Sequence, residues 1–423
     1  MRLLAWLTRV FKLRPEEARP VITAALVYFL LMTANYSLRP VRDALALTGG
    51  SDDLPWLFTG TFVAVLALVP VYGYAASRFG RSRLVPIVYR SCALVLVGFF
   101  ALLEAAPSWF PEVWAAAGFF IWISAFNLFA TSLLWSALAD RFAEADARRV
   151  FGLVALGGSL GALWGPGIAA LTAQYLSPTA MLLFAAALLE VGIRYGRSLW
   201  HAEGELDAVP PLGGSPFAGL AEVLRSPHLQ ALCLYLLLMS GLQTIAYFVQ
   251  GHVVEAAFSN LADRTTALAT LDIAANALNL IGQALLTGRL LSRFGLSFAL
   301  VALPIASAVG LGLVAVWPVF WAVALLQVGQ RSTKFILAKP AREVLFTSVS
   351  RSERYKAKSF IDTVVYRGGD ALAGWGFTGL LALGLGLSGI AGLAVPLALG
   401  WGAFGLALGR RHARGVDVAA DPR

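Results

Sequence analysis

Twelve stretches of roughly 20 apolar residues run through this chain, each long enough for a helix to cross a bilayer. They lie near 20–43, 55–76, 84–105, 111–138, 150–174, 177–195, 228–255, 265–288, 296–316, 318–342, 358–384 and 387–409. Hydrocarbon gives unpaired backbone groups no water to bond with, so an open chain crosses it only as helices. Of the 423 residues, 58% are hydrophobic and only 13% are charged, against about 25% charged in an ordinary soluble domain. These constraints predict an all-α membrane protein with twelve transmembrane helices in two six-helix halves. The lipid bilayer is therefore its first partner.

The charges that remain are unevenly placed. Basic residues gather before the first stretch (Arg2, Arg9, Lys12, Arg14, Arg19), in alternate loops (Arg78, Arg81 and Arg83; Arg141, Arg148 and Arg149; Arg351, Arg354, Lys356 and Lys358), and after the last stretch (Arg410, Arg411, Arg414). The opposite loops carry Asp52, Asp53, Glu112, Asp263 and a single basic residue, Arg264. By the positive-inside rule both termini are expected in the cytoplasm, in a bacterial inner membrane. This asymmetry accounts for the net charge of +9 without any nucleic-acid partner. Residues 196–227 are polar and rich in Pro and Gly, a connector rather than a span. The expected organisation is a six-helix bundle over 1–195 with an amphipathic N-terminal segment, a cytoplasmic connector over 196–227, a second bundle over 228–409 and a tail over 410–423. The chain is read as monomeric.

Chemistry of the enzymatic kind has little support. Cys92 and Cys233 sit apart in apolar runs, and the four histidines show no ligand spacing. No metal, cofactor or nucleophile motif appears.

An internal repeat marks a duplication. Gly73-Tyr-Ala-Ala-Ser-Arg78-Phe-Gly80 follows the second span, and Gly288-Arg-Leu-Leu-Ser-Arg293-Phe-Gly295 follows the eighth. A weaker echo links Gly157-Gly158…Trp164 with Gly368-Gly369…Trp375. Two matched halves suit an alternating-access carrier. The first copy continues to Arg81 and Arg83, and it resembles the loop motif of the major facilitator superfamily, with Ser77 where that family has Asp. The resemblance implies gate loops carrying Gly73, Arg78, Gly80 and Arg81 in one half and Gly288, Arg293 and Gly295 in the other. Gly157, Gly158 and Gly161 lie inside a span and read as close helix packing, since a phosphate loop needs a preceding strand.

Charges inside the spans are the functional signal, because each costs about 2.5–3.5 kcal/mol at a helix centre. Asn35, Arg39 and Arg42 fall on one face of the first span. Arg331, Lys334 and Arg342 share a face of the tenth, while Lys339 has the reach to snorkel to the interface. The eighth span carries Asp272, Asn276, Asn279 and Gln283 at helical spacing. The eleventh adds Asp362, Tyr366 and Asp370, with Arg367 alongside. Such cations must line water, pair with acids or await an anion. Asp272, Asp362 and Asp370 are the natural partners for them in an empty site. Two plainer readings stay open: Arg42 clasped to a neighbour such as Asp43 or Asp52, and amides serving only as glue between helices.

The blocks LRPVRDAL (38–45), KPAREVLF (339–346) and RYKAKSFIDTVVYRGGDALAGW (354–375) resemble the nucleotide transporter family, the ATP/ADP antiporters of plastids and intracellular bacteria. Those proteins are distant relatives within the major facilitator superfamily. The matching positions hold Arg342, Glu343, Phe346, Lys356, Lys358, Asp362 and Arg367. The resemblance implies that the family's two charge-bearing lysines fall on Arg42 and Arg342. Its span-four acid has no counterpart around Ser124–Asn127, and Gln250 stands at its span-seven acid, which puts strict ATP-for-ADP exchange in doubt.

The expected function is secondary transport of an anionic, nucleotide-like solute. Arg39, Arg42, Arg331, Lys334 and Arg342 are expected to hold negative groups, with Asn276, Asn279 and Tyr366 orienting the remainder. A proton-coupled facilitator for another organic anion or drug, with Asp272 or Asp370 titrating, is the alternative within the class. A non-transporting sensor or assembly partner is the alternative outside it.

Overall fold

A computed structural model describes residues 15–78, 81–105, 110–141, 144–200, 219–346, 357–358 and 360–420. Among these residues the secondary structure is helical throughout, with no strand. The first six spans are α1 (Pro15–Leu45), α2 (Leu54–Arg78), α3 (Arg81–Glu104), α4 (Glu112–Arg141), α5 (Glu144–Ala173) and α6 (Ala180–Tyr195). The second series begins with α7 (Pro227–Ala257), α8 (Leu261–Leu285) and α9 (Thr287–Val316). The tenth span runs through α10 (Phe320–Thr333), a π-helical segment (Lys334–Ala338) and α11 (Lys339–Leu345). A second π segment (Ile361–Val365) opens the eleventh span and leads into α12 (Tyr366–Ala382), and α13 (Leu387–Ala420) is the last.

Nine of these helices are long and apolar enough to cross a membrane, among the described residues. The other three expected spans are helical but shorter or broken. Helix α6 has 16 residues, and the π segments interrupt the tenth and eleventh spans. The tenth span breaks for a local reason. Pro340 has no N–H to give the Ile336 carbonyl one turn back. That carbonyl instead accepts the Thr287 hydroxyl at 2.9 Å, so the interruption is satisfied from α9.

The chain forms two compact units. The first comprises Met1–Thr48, Leu68–Gly213 and Asn260–Ile273, and the second Gly49–Ala67, Gly214–Ser259 and Ala274–Arg423. In the first, α5 lies directly on α1. A Cβ added at Gly157, Gly161 or Gly165 would sit 2.2, 2.4 or 2.7 Å from the carbonyl oxygens of Ala25, Phe29 or Thr33. Glycines four apart thus let two backbones touch, the small-residue contact that drives helix association in lipid. In the second unit the glycines of α12 make room for side chains of α7 instead of its backbone: Gly369 faces Leu237 and Ser240, and Gly374 faces Phe248. The first unit's core contains Leu31, Leu38, Phe119 and Leu134, and the second buries Tyr235, Phe248, Phe346, Phe377 and Trp401. Leu94, Leu171, Val309, Trp321, Leu325 and Leu372 remain exposed, as hydrocarbon-facing side chains should.

Gly295 has φ +74° and ψ −178° and breaks α9 near its start. A side chain is strained in that conformation, so this glycine ends the second copy of the repeat as a turn. Gly73 is buried within α2. Gly80 and the side chains of Arg78 and Arg81 lie outside the described residues.

Candidate substrate-binding site

In the first unit, α1 carries its polar face inward. Asn35 Nδ2 donates to Asn127 Oδ1 of α4 at 2.8 Å, beside a cavity of about 20 Å³, room for one water. Arg42 donates to Asp43 Oδ1 through Nε at 2.8 Å and Nη2 at 2.5 Å, and Nη1 lies 3.3 Å from Ser124 Oγ. Its guanidinium also stands 5.0 Å from the Phe120 ring centroid. Arg42 thus adopts the neighbour-clasped arrangement left open above. Ser124 and Asn127, where the resemblance predicts an acid, instead offer neutral oxygens to α1. One turn earlier, Arg39 Nε is 3.6 Å from Asp272 Oδ2, a side chain only 3% exposed near the middle of α8.

In the second unit the charged residues of the tenth and eleventh spans form three groups. Lys334 Nζ donates to Gln243 Oε1 at 2.7 Å and to Tyr366 Oη at 2.8 Å. Tyr366 Oη in turn lies 3.3 Å from Gln243 Oε1. No carboxylate among the described residues comes within ion-pair distance of this ammonium. Further along, Arg342 contacts Asp362 at 3.0 Å and Glu343 at 3.3 Å, and Lys358 reaches Glu343 at 2.7 Å. The third group is Asp370, buried on α12. Its Oδ1 accepts from Ser240 Oγ at 2.6 Å and Thr244 Oγ1 at 3.1 Å, and its Oδ2 lies 3.5 Å from Arg367.

Asp272 thus lies against Arg39, Asp362 against Arg342, and Asp370 against Arg367. The expected common face of Arg331, Lys334 and Arg342 is interrupted, because the π segment between Lys334 and Arg342 changes the helical register. Asn279 is buried with its Oδ1 unpartnered, as is Gln250 with its Oε1, while Asn276 is half-buried.

This arrangement of broken spans and charges held within helices belongs to membrane transport rather than catalysis, and a family comparison decides it. Residues 24–333 match the model of the Major Facilitator Superfamily. The chain belongs to that superfamily. Membership makes this major facilitator a multi-pass membrane transporter of a small solute, not an enzyme. No curated protein matches it. Among solved structures it is similar to the nucleoside transporter NupG, with TM-score 0.67, 15% identity, and coverage of 91% of this chain and 98% of that one. An auto-inhibited POT family peptide transporter gives TM-score 0.68 and 13% identity, covering 94% and 97%. A bacterial homologue of the human lysosomal transporter Spinster, inward-facing and unoccupied, gives 0.59 and 15%, covering 94% and 98%. At such identities these likenesses concern the fold alone.

Sequence reasoning missed Ser240, Gln243 and Thr244. They form a polar stripe with Gln250 on α7, at positions three, four and seven apart. That spacing in an otherwise apolar span was the available signal.

Proposed function

We propose that this major facilitator is a secondary transporter moving an anionic, nucleotide-like solute by alternating access, as an exchanger in the inner membrane with both termini cytoplasmic. One observation carries the reading. Lys334 is a half-buried ammonium whose described partners, Gln243 and Tyr366, are neutral. Asp370 acts on this charge only through space; a cation inside a span without a direct ion pair is costly, and an anionic guest reduces that cost. In the second unit Arg331, Lys334 and Arg342 are assigned to the guest's negative groups, and Asn276, Asn279 and Tyr366 to its neutral part. Arg342 must first leave Asp362. In the first unit Arg39 and Arg42 are held by Asp272 and Asp43, and they accept an anion only by exchanging those carboxylates for it. The fold-level likeness to a nucleoside transporter supports a nucleobase-bearing solute weakly; the resemblance of 339–375 to nucleotide antiporters supports it more.

The test is uptake into proteoliposomes loaded with ADP or left empty, with labelled ATP, inorganic phosphate and succinate outside. Uptake of an anion that requires internal counter-substrate is the expected result. Uptake that follows a pH gradient and ignores internal solute would replace exchange with proton coupling. A specific contact favours that second reading: the Ser240 hydroxyl has one proton but two acceptors, Asp370 Oδ1 at 2.6 Å and the Tyr366 carbonyl at 2.9 Å. A proton on Asp370 would satisfy both.

A further inference from the structure

The amide of Gln243 has only one workable orientation. An ammonium donates and never accepts, so the atom 2.7 Å from Lys334 Nζ must be the amide oxygen. The Tyr366 hydroxyl, whose oxygen already accepts from Lys334, can spend its proton only on that same oxygen, 3.3 Å away. Both contacts turn Oε1 toward the lysine and Nε2 away from it. Nε2 is shielded from solvent and has no hydrogen-bond partner. An amide donor left in that condition costs about 1–3 kcal/mol, and nothing in the lysine–tyrosine pairing requires it. A leucine or methionine would avoid that cost only by taking the acceptor from Lys334 and Tyr366.

From the fixed dimensions of an amide, Nε2 lies within about 5 Å of Lys334 Nζ. The ammonium has three protons, and two are engaged by Gln243 and Tyr366. Two adjacent donors, one charged and one neutral, therefore remain unused on neighbouring elements: α7 and the start of the first π segment. Their spacing suits two oxygens of one planar or tetrahedral oxyanion. Each oxygen then takes one N–H, and the charge-assisted bond from Lys334 supplies most of the strength.

We infer that Gln243 and Lys334 together form an oxyanion subsite, in which Gln243 Nε2 is a direct donor to a carboxylate or phosphate oxygen of the transported solute and sets its orientation. The inference rests on the anionic reading above and adds a residue to it. Tyr366, assigned above to the guest's neutral part, also holds the amide in register through its bond to Oε1.

The experiment measures binding to purified full-length protein in nanodiscs, with ATP, inorganic phosphate and succinate as anionic probes and adenosine as a neutral one. Gln243→Leu removes the donor and Gln243→Glu replaces it with a negative oxygen while keeping the side-chain shape. The bound anion is expected to weaken at least tenfold in Gln243→Leu and to be lost in Gln243→Glu, with any adenosine binding kept and unfolding midpoints close to wild type. If Gln243→Leu does not fold, the isosteric Gln243→Glu carries the test. Wild-type affinity for the anion in the folded variants overturns the subsite and leaves the transport reading standing. Wild-type protein that binds none of the three anions overturns the anionic reading, and the subsite with it.

Discussion

Arg342 Nη1 sits 3.0 Å from Asp362 Oδ1, joining the helix that follows one π segment to the interior of the other. The Lys334–Tyr366 contact at 2.8 Å is the companion rung, from the first residue of one π segment to the residue that follows the other. Two interrupted spans are thus tied together on both sides of their interruptions. Such π-helical turns gather at functional sites because the wider turn loosens the local register. The ion pair is only partly shielded, with 15% and 36% of the two side chains exposed, so an incoming anion has a modest competitor.

That competition gives the first prediction. Asp362→Asn keeps the shape and removes the charge, which leaves Arg342 with Glu343 alone. Losing a competing pair worth about 0.5–1 kcal/mol should tighten binding of the transported anion about two- to fivefold. Turnover should fall in the same variant, because the empty site no longer resets by recapturing the arginine. Equilibrium affinity and proteoliposome uptake, measured side by side, check both halves; unchanged affinity removes Asp362 from the cycle.

Gly161 supplies a second expectation. A methyl group there would stand 2.4 Å from the Phe29 carbonyl and 2.9 Å from the Thr33 nitrogen, both rigid backbone atoms of α1. Gly161→Ala must push α5 off α1, an overpacking cost of about 1–3 kcal/mol. Gly167→Ala on the same helix meets nothing within 4 Å and should be close to neutral. The unfolding midpoints of the pair in detergent make the comparison, with Gly167→Ala as the internal control.

Much of this fold was legible because lipid leaves few choices. The apolar run lengths gave the spans, and Gly157 and Gly161 marked the close contact of α1 with α5. The interruptions were less visible. Pro340 pointed to a break, but only the Thr287 hydroxyl on the Ile336 carbonyl shows how the freed group is satisfied. The second π segment, over Ile361–Val365, contains no proline or glycine to announce it. At the site, Asp272, Asp362 and Asp370 stand out in the sequence as candidate partners, since a charge in hydrocarbon needs one, but which cation each meets is not written in the spacing. The partner of Arg42 was harder to choose, because the adjacent Asp43 and a distant acid serve the same electrostatic need. Gln243 escaped because an amide in an apolar helix looks like ordinary glue until its oxygen is found pinned by a lysine.

The Arg39–Asp272 pair leads to a third prediction. Asp272 is nearly fully buried while Arg39 is 31% exposed, so removing either partner strands the other unequally. Arg39→Gln takes a counter-charge from a buried carboxylate, the more damaging direction. Asp272→Asn leaves a cation that can still reach water. The arginine variant should therefore unfold at a lower temperature than the aspartate variant, and the double variant should be more stable than the sum of the two predicts. Additive effects would show that the two side chains do not depend on each other.

Asp370 carries the last prediction, because its surroundings separate a structural acid from one that moves protons. Ser240, Thr244 and Arg367 all meet its carboxyl group, and the Lys334 charge also acts on it. If the group is only a buried counter-charge for Arg367, Asp370→Asn strands the guanidinium, lowers the unfolding midpoint and slows every mode of transport together. If instead it takes up the proton that the Ser240 geometry invites, the amide mimics the permanently protonated state. Uptake driven by a pH gradient then disappears in Asp370→Asn, while counterflow between identical solutes on the two sides persists. Ser240→Ala distinguishes the cases from the other direction. It removes one hydrogen bond from Oδ1, at a cost of about 1–3 kcal/mol if the carboxyl is charged, and much less if Asp370 is protonated and can turn its own O–H to the Tyr366 carbonyl. Gradient-driven uptake, counterflow and thermal unfolding of the two variants together decide between a counter-ion and a coupling site.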